Sequence, residues 1–558
     1  MTARILVLAC LVLCVPVTAA HALRFTGGPL PVGTAKPTSV LEPGIGASAD
    51  GTFIIGATAV GRGADLWVSH DNGLTYAWAG DPFLDPPQGL NPESGQDTDA
   101  TAAPVAQAKG PPNLYATSLW SAESSLAVSH DAGKTWQVNQ LNGTPTQDRP
   151  WLAADGPCTV YMAYQNGDSG PPTREMVSRF DACQAPTLTG VSAVLDSTQS
   201  VTDPYPLGAF LGGKIQVDHS PTSRFQHRVY IPTGGCETDQ PGPSYIPTAN
   251  PFDCQFARAT LSIAVSSDGA QSFTVHRVAD SGTHMLHIWP DDLGIDAAGN
   301  LYLVWSDDHN VFLNVSRDGG TTWTKSQRVN VGPSLSAVHP TIAASAAGTL
   351  EIAWYGAEKD GDSNDLELMG APGAAGATPW KVYAAKSTDF GQHFDQAVVS
   401  DTVHTGIVCT TANTCLTSHS RNLYDDFGIA ISPTTGRASI AYTIDSVTIT
   451  GAAAGPMLRI GYATEVPAPQ RCTDERRFTF RLHRPRGSRI VRVDVFVGKR
   501  LLRRVRGHDL RRITVARRPI GTFRITIVAH TNRGGRVVSR RTYHGCTKGP
   551  PVTKAFSR

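Results

Sequence analysis

The chain has 558 residues, 41% hydrophobic and 17% charged, with a formal net charge of +1. It is too apolar for a disordered chain and too long for one small domain, and its 54 glycines and 39 prolines favour turns over long helices. The near-zero charge averages two unlike parts: residues 471–558 hold 25 Lys+Arg against 4 Asp+Glu, a balance of +21, while the remainder carries −20.

Residues 1–22 read as a secretory signal peptide. Arg4 precedes an apolar run from Ile5 to Val17, and Ala20-His21-Ala22 fits a small-x-small cleavage site. The expected localisation is therefore extracellular. No later stretch reaches the roughly 20 apolar residues that a membrane-spanning helix needs.

From residue 48 to 466 one pattern recurs, Ser-x-Asp-x-Gly-x-Thr-aromatic behind an apolar strand. The copies are VSHDNGLTY (Val68–Tyr76), VSHDAGKTW (Val128–Trp136), VSSDGAQSF (Val265–Phe273), VSRDGGTTW (Val315–Trp323) and KSTDFGQHF (Lys386–Phe394), with a degraded sixth, VSRFDACQA (Val177–Ala185). The pattern suits a hairpin turn. The carboxylate accepts from nearby backbone N–H groups and hydroxyls, glycine supplies positive φ, and the aromatic opens the next strand. Asp71, Asp131, Asp268, Asp318 and Asp389 are therefore expected to be structural rather than catalytic.

A second marker precedes each turn: two apolar strands around a Gly- or Asp-containing turn. It occurs at Ala49–Ala57, Asn113–Trp120, Trp151–Tyr164, Lys214–Thr233, Leu293–Asp307, Thr341–Gly356 and Phe427–Asp445. Seven units in the roughly 445 residues between the signal segment and the basic tail average about 64 residues each, enough for four strands with generous loops.

The Asp-containing turn is the Asp-box, or bacterial neuraminidase repeat, and the chain resembles the sialidase-superfamily β-propellers over about residues 24–468. The resemblance implies an all-β fold, a propeller at 23–468 of seven blades by the unit count above, or six as in familiar sialidases. It also implies that the Asp-boxes lie on the face opposite the functional site. An N-terminal strand between Leu23 and Val40 is expected to close the ring.

Ligand groups are then sought in the loops and strand entries of the other face. The motifs there are Asp148-Arg149-Pro150-Trp151, His287 to Asp292 (HIWPDD), His339-Pro340 and Arg421 to Asp426 (RNLYDD). Trp151, His287, Trp289, Asp291, His339, Tyr424 and Asp425 are the binding candidates, because planar rings and bidentate polar groups suit a carbohydrate. Arg149–Asp148 and Arg421–Asp425 also read as ion pairs between neighbouring blades. Sialidase chemistry requires arginines for the substrate carboxylate, a Tyr nucleophile paired with Glu, and an Asp acid/base. Arg149, Arg421, Tyr355, Glu358 and Asp148 are the residues of suitable type, but Arg24-Phe25-Thr26-Gly27-Gly28 replaces the family's early Arg-Ile-Pro motif. The expected function is binding of an extracellular glycan or cell-wall polymer without sialidase turnover, with a glycoside hydrolase as the alternative. No organic cofactor is implied. Asp360, Asp362 and Asn364, alternating in an acidic loop, resemble half of a calcium loop or a solvated acidic loop.

Eight cysteines follow the signal segment, and their spacing groups them as Cys158 with Cys183, Cys236 with Cys254, Cys409 with Cys415, and Cys472 with Cys546. Beyond residue 468 the pattern turns to period two. In RIVRVDVFVG, Val491, Val493, Val495 and Val497 share one side, and Arg492, Asp494 and Phe496 the other. Residues 469–548 are expected to form a basic immunoglobulin-like sandwich, with 549–558 as a disordered tail. Its charge suits a polyanion, or simply a solvated arginine-rich surface. A monomer is expected.

Overall fold

The computed structural model describes residues 23–33, 39–83, 96–120, 123–140, 147–166, 174–196, 210–237, 258–280, 292–410, 423, 427–445, 458–467, 477–516 and 522–544. The chain divides into two compact units, residues 1–466 and 467–558. Among the described residues both are built almost wholly of antiparallel strands, with one short helix, Leu366–Met369, capped by Asp365.

In the first unit the described strands form seven antiparallel sheets. Sheets 1, 2 and 3 each use four consecutive strands and begin at Val40–Ala47, Gln96–Ala102 and Gln147–Asp155. Sheet 4 begins with two short strands, Phe210–Gly212 and Gln216–Val217, both paired with Val229–Glu237. Sheets 5 and 6 begin at Asp292–Ile295 and Ser336–Ala344. Sheet 7 takes Gly428–Ile431, Ala438–Ile444 and Arg459–Glu465 from the end of the unit and Phe25–Pro29 from its start, with Phe25 opposite Glu465.

The middle strands explain this layering. Phe53–Ala59 and Leu301–Ser306 are buried along their whole length, as expected of strands covered on both faces. The core is accordingly divided among the gaps between successive sheets. Tyr230 and Ile263 of sheet 4 pack with Leu301 and Leu303 of sheet 5. Tyr302 and Leu313 pack with Ile342 and Trp354 of sheet 6, and Tyr355 and Trp380 with Ile440 and Tyr442 of sheet 7. Ala430, Ala441 and Ile460 of sheet 7 then pack with Phe53, Ile55 and Trp67 of sheet 1. The last sheet thus meets the first, the arrangement of an all-β propeller. Each fully buried large apolar side chain contributes roughly 1.5–3 kcal/mol, and Phe53 and Ile55 in the closing seam are fully buried.

The second unit holds a two-stranded sheet, Arg477–Arg481 with Arg512–Ala516, and a four-stranded sheet ordered Arg500–Arg506, Ile490–Val497, Thr522–Thr531 and Arg536–His544. Val493, Val495, Ile513, Val515, Ile525 and Ile527 form its core.

Candidate functional site at one end of the channel

Within sheets 1 to 6 of the first unit, the turn after the first strand and the turn after the third strand lie at the same end. Five third-strand turns carry the sequence-predicted aspartates, and all five repeat one network. In the first, Ser69 Oγ donates to Asp71 Oδ1 (2.8 Å), Gly73 N donates to Ser69 Oγ (2.9 Å), and Thr75 donates through N and Oγ1 to the two carboxylate oxygens (2.9 and 2.7 Å). Asp131, Asp268, Asp318 and Asp389 hold equivalent bonds, with His393 replacing the threonine at Asp389. Two consecutive residues after each aspartate have positive φ, for example Asn72 and Gly73 (61° and 81°), which explains the glycine in the pattern. Burial pushes the Asp71, Asp131, Asp318 and Asp389 carboxyls up, but the hydrogen bonds outweigh it and hold them below their ordinary value. At Asp268 the Ser272 hydroxyl is the largest influence, in the same direction.

A cavity of about 660 Å³ is lined by the first strands of all seven sheets. It runs from the turns around Ala49, Ser220, Ala297 and Ala346 to a charged level made by Asp99, Lys214 and Asp292. Contacts between neighbours establish that level. Asp99 accepts from Leu152 N (2.8 Å), and Asp292 accepts from Thr341 Oγ1 (2.7 Å) and Ile342 N (3.2 Å). Lys214 Nζ lies 5.5 Å from the Trp151 ring centre and donates to Phe427 O across the channel (2.7 Å). A Cβ on Gly44 would stand 2.0 Å from Asp99 Oδ1, so only glycine fits beside that carboxylate. Burial pushes Asp99 up to about 6 and Asp292 upward, and in both the Lys214 ammonium opposes the shift.

Beyond this level, away from the cavity and the Asp turns, the first strands are bulged. The register slips between Leu41 and Pro43, Gln96 and Thr98, Asp148 and Trp151, and Val338 and Thr341. Glu42, Arg149 and His339 stand in these bulges with φ of 53°, 52° and 49°, and each precedes a proline. Positive φ is costly for a residue with a side chain, and a following proline further restricts its backbone. Bulges and strained residues of this kind gather at functional sites. Three sheets share one disfavoured device, which makes this end the candidate site although the cavity lies on the other side of Lys214.

The groups there are linked across sheets. Arg149 N donates to Asp97 Oδ2 (3.1 Å). Glu42 N donates to Thr443 Oγ1 (3.2 Å), and Thr443 N donates to the Tyr355 hydroxyl (2.9 Å). The His339 and Tyr355 rings meet edge-on with centres 6.4 Å apart, and Phe427 lies 4.6 Å from Tyr355. In sheet 3, Asp148 is opposite Gln165 and Gln165 is opposite Glu175. Glu175 is 1% exposed, its Oε2 has no hydrogen-bond partner, and burial pushes it up to about 8.

The predicted site residues therefore separate. Asp148, Arg149, His339 and Tyr355 lie at the bulged end. Trp151 is buried beside Lys214 rather than standing in solvent as a platform. Glu358 is 67% exposed and paired with Lys381 (3.4 Å), in contrast to the fully buried Tyr355. His287, Trp289, Asp291, Arg421, Tyr424 and Asp425 lie outside the described residues. Asp360 pairs with His309 Nε2 (2.7 Å), Asp362 accepts from Asn364 N (2.8 Å), and Asn364 accepts from Thr410 N (3.0 Å), so these oxygens order the loop and tie it to two other segments. Among the described residues, the His, Cys and carboxylate group close enough to share an ion is Cys158, Asp181 and Cys183, whose sulfurs are already joined as a disulfide. Cys409 is also disulfide-bonded. The side chains of Cys236, Cys254, Cys415, Cys472 and Cys546 lie outside the described residues. Glu42, Asp97, Glu175 and Lys214 escaped the sequence reading. A polar residue followed by proline, shared by Glu42-Pro43, Arg149-Pro150 and His339-Pro340, is the signal that marks Glu42.

No family model and no curated protein matches the chain. Solved structures similar to it include the GH93 alpha-L-arabinofuranosidase of Fusarium graminearum with arabinobiose, at 13% identity over 59% of this chain and 92% of that one, TM-score 0.38. A PL25 ulvan lyase bound to -[GlcA(1-4)Rha3S]- matches at 11% over 78% and 95%, TM-score 0.44. The Hadza microbial sialidase Hz136 matches at 12% over 76% and 65%, TM-score 0.38.

Proposed function

We propose that the protein is an exported, seven-bladed Asp-box propeller, spanning 23–468, that binds an extracellular glycan or cell-wall polymer at its bulged end. Each of the seven sheets is read as one blade. The observation that carries the proposal is the repeated strained position, Glu42, Arg149 and His339, at the same end as Asp97, Asp148 and Tyr355. Carboxylates, a guanidinium and an imidazole give a sugar both donors and acceptors. A basic immunoglobulin-like sandwich at 469–548 adds affinity for a polyanion. The signal segment and the disulfides support export.

Binding without sialidase turnover is favoured because the Tyr355 hydroxyl is buried against Thr443 N while Glu358 faces Lys381 in solvent. A glycoside hydrolase is the second reading, supported by two carboxylates, Glu42 and Asp97, at one end of the channel. The test is Arg149→Gly. Glycine accepts the φ of 52° at little cost, so stability should change by no more than about 1 kcal/mol. Retention on a glycan array should fall at least about tenfold, the equivalent of 1.4 kcal/mol. Unchanged retention sinks the proposal, and sugar release from fluorogenic glycosides by the native chain selects the hydrolase.

A further inference from the structure

We infer that the outward face of the four-stranded sheet in residues 467–558 is a docking surface for an acidic polysaccharide, an inference that rests on the polyanion reading above and locates it. The strand Thr522–Thr531 separates the two faces. Phe523, Ile525, Ile527 and Ala529 are buried, whereas Arg524, Thr526, Val528 and His530 alternate with them. Register carries the outward set across the sheet. Arg506 is opposite Arg492, Arg492 is opposite His530, and His530 is opposite Arg536. Four basic side chains thus stand in single file over four strands, about 14 Å from end to end at the usual strand spacing. Arg504, Arg524 and Arg540 share the same face by register and are exposed.

Among the described residues, one acid answers this row. Asp494 is buried beneath it and shared by Arg504 Nε (2.6 Å), His530 Nε2 (3.1 Å) and Arg492 Nε (3.3 Å). Its carboxyl is pushed up by burial, but these partners outweigh that and hold it below the ordinary carboxylate range. Arg506, Arg524, Arg536 and Arg540 remain as surplus cations. Like charges placed directly opposite on neighbouring strands destabilise a sheet, and a chain of regularly spaced anions relieves them. Guanidinium forks match carboxylate and sulfate oxygens. Sequence-tolerant binding of single-stranded nucleic acid relies on aromatic stacking platforms. Among the described residues, Phe496 is the one aromatic that register places on this face, and it is half-buried. A polymer without bases is therefore the better match.

The experiment uses the full chain and a heparin oligosaccharide as probe. Arg506→Ser with Arg536→Ser should weaken binding at least tenfold and reduce the slope of log affinity against log salt by about two. Arg506→Lys with Arg536→Lys should recover most of the affinity. Arg484→Ser with Arg511→Ser, which removes the same charge beside Asp509, should cost less than threefold. Circular dichroism and melting of each variant separate lost binding from lost folding. Equal losses from both serine pairs overturn the docking face while leaving the polyanion reading intact. Absence of native binding at low salt overturns both. Tighter binding of single-stranded DNA of equal length and at equal salt overturns the assignment to a polysaccharide.

Discussion

The turn aspartates and the buried acids of the propeller sheets are treated in opposite ways. At the Asp-turn end, hydrogen bonds from backbone and hydroxyl groups hold Asp71, Asp131, Asp268, Asp318 and Asp389 below their ordinary values. At the bulged end burial dominates, as it also does at the other end for Asp218 and for Glu351, which is pushed upward although Lys386 pairs with it (2.6 Å). Glu175 and Asp308 are each pushed up to about 8, and Asp81, although the Ala64 N–H and then Arg62 oppose the shift, to about 6. The backbone follows the same division. Positive φ at the Asp turns is relieved by glycine at one or both of the two positions, whereas at Glu42, Arg149 and His339 it is imposed on polar side chains. One end is a repeated, self-satisfied device that holds strands together. The other places strain on polar side chains, a feature expected where binding rather than stability has been selected.

Lys214 divides the two ends, and its removal should have the largest effect. Lys214→Met leaves Asp99 and Asp292 buried without their cation. Loss of a buried partner typically costs about 3–5 kcal/mol, so urea denaturation should show a drop of that order. Native-like stability would mean that no ionic belt separates the ends.

Glu175→Gln probes the bulged end and should matter next most. A carboxyl raised in the folded state contributes stability that is present below the unfolded pKa and is lost as pH rises towards about 8. The amide should therefore stabilise the protein at pH 9 by on the order of 2 kcal/mol, with little gain at pH 4. Melting curves at the two pH values check this, and a pH-independent difference would show that Glu175 is not charged at the cost of folding.

Asp318→Ala probes the opposite end. It should cost about 1–2 kcal/mol at neutral pH and leave glycan retention unchanged. A carboxyl lowered in the folded state contributes stability above its unfolded pKa that is lost as pH falls through the folded value. The penalty should therefore shrink on acidification below about pH 4. Lost retention without a change in melting would assign the Asp turns a binding role.

The five Asp turns were legible because each network lies within seven consecutive residues. Sheet order was largely legible for a similar reason, since neighbouring strands are mostly consecutive in the chain. The site was legible only in part. Arg149 and His339 could be marked by residue type, but their bulges are set by pairing with Thr159–Asn166 and Leu350–Ala357. Glu42 is marked in the sequence only by the proline after it, and its place beside Thr443 depends on a partner about 400 residues away. Tyr355 and Glu358 are near neighbours in sequence, yet one is sealed in the core and the other is in solvent. Period two in the last unit showed which side Arg492 takes, but gave no hint that Arg506, His530 and Arg536 fall in line with it.

By itself the sequence determined the local chemistry: the turn networks, the strands with apolar runs or alternation, the separation of charge near residue 470, and the candidacy of polar residues at the entry to the first strands. These depend on side chains within a few positions of one another, where spacing alone dictates contact. Tertiary structure decided everything that needs residues from different sheets at one place. It joined Phe25–Pro29 to Arg459–Glu465, set the Lys214 charge against those of Asp99 and Asp292, hydrogen-bonded both Glu42 and Tyr355 to Thr443, and ranked four basic residues across one sheet. Those contacts arise from ring closure and strand register, which are fixed by packing and hydrogen bonding over hundreds of residues and leave no trace in local spacing.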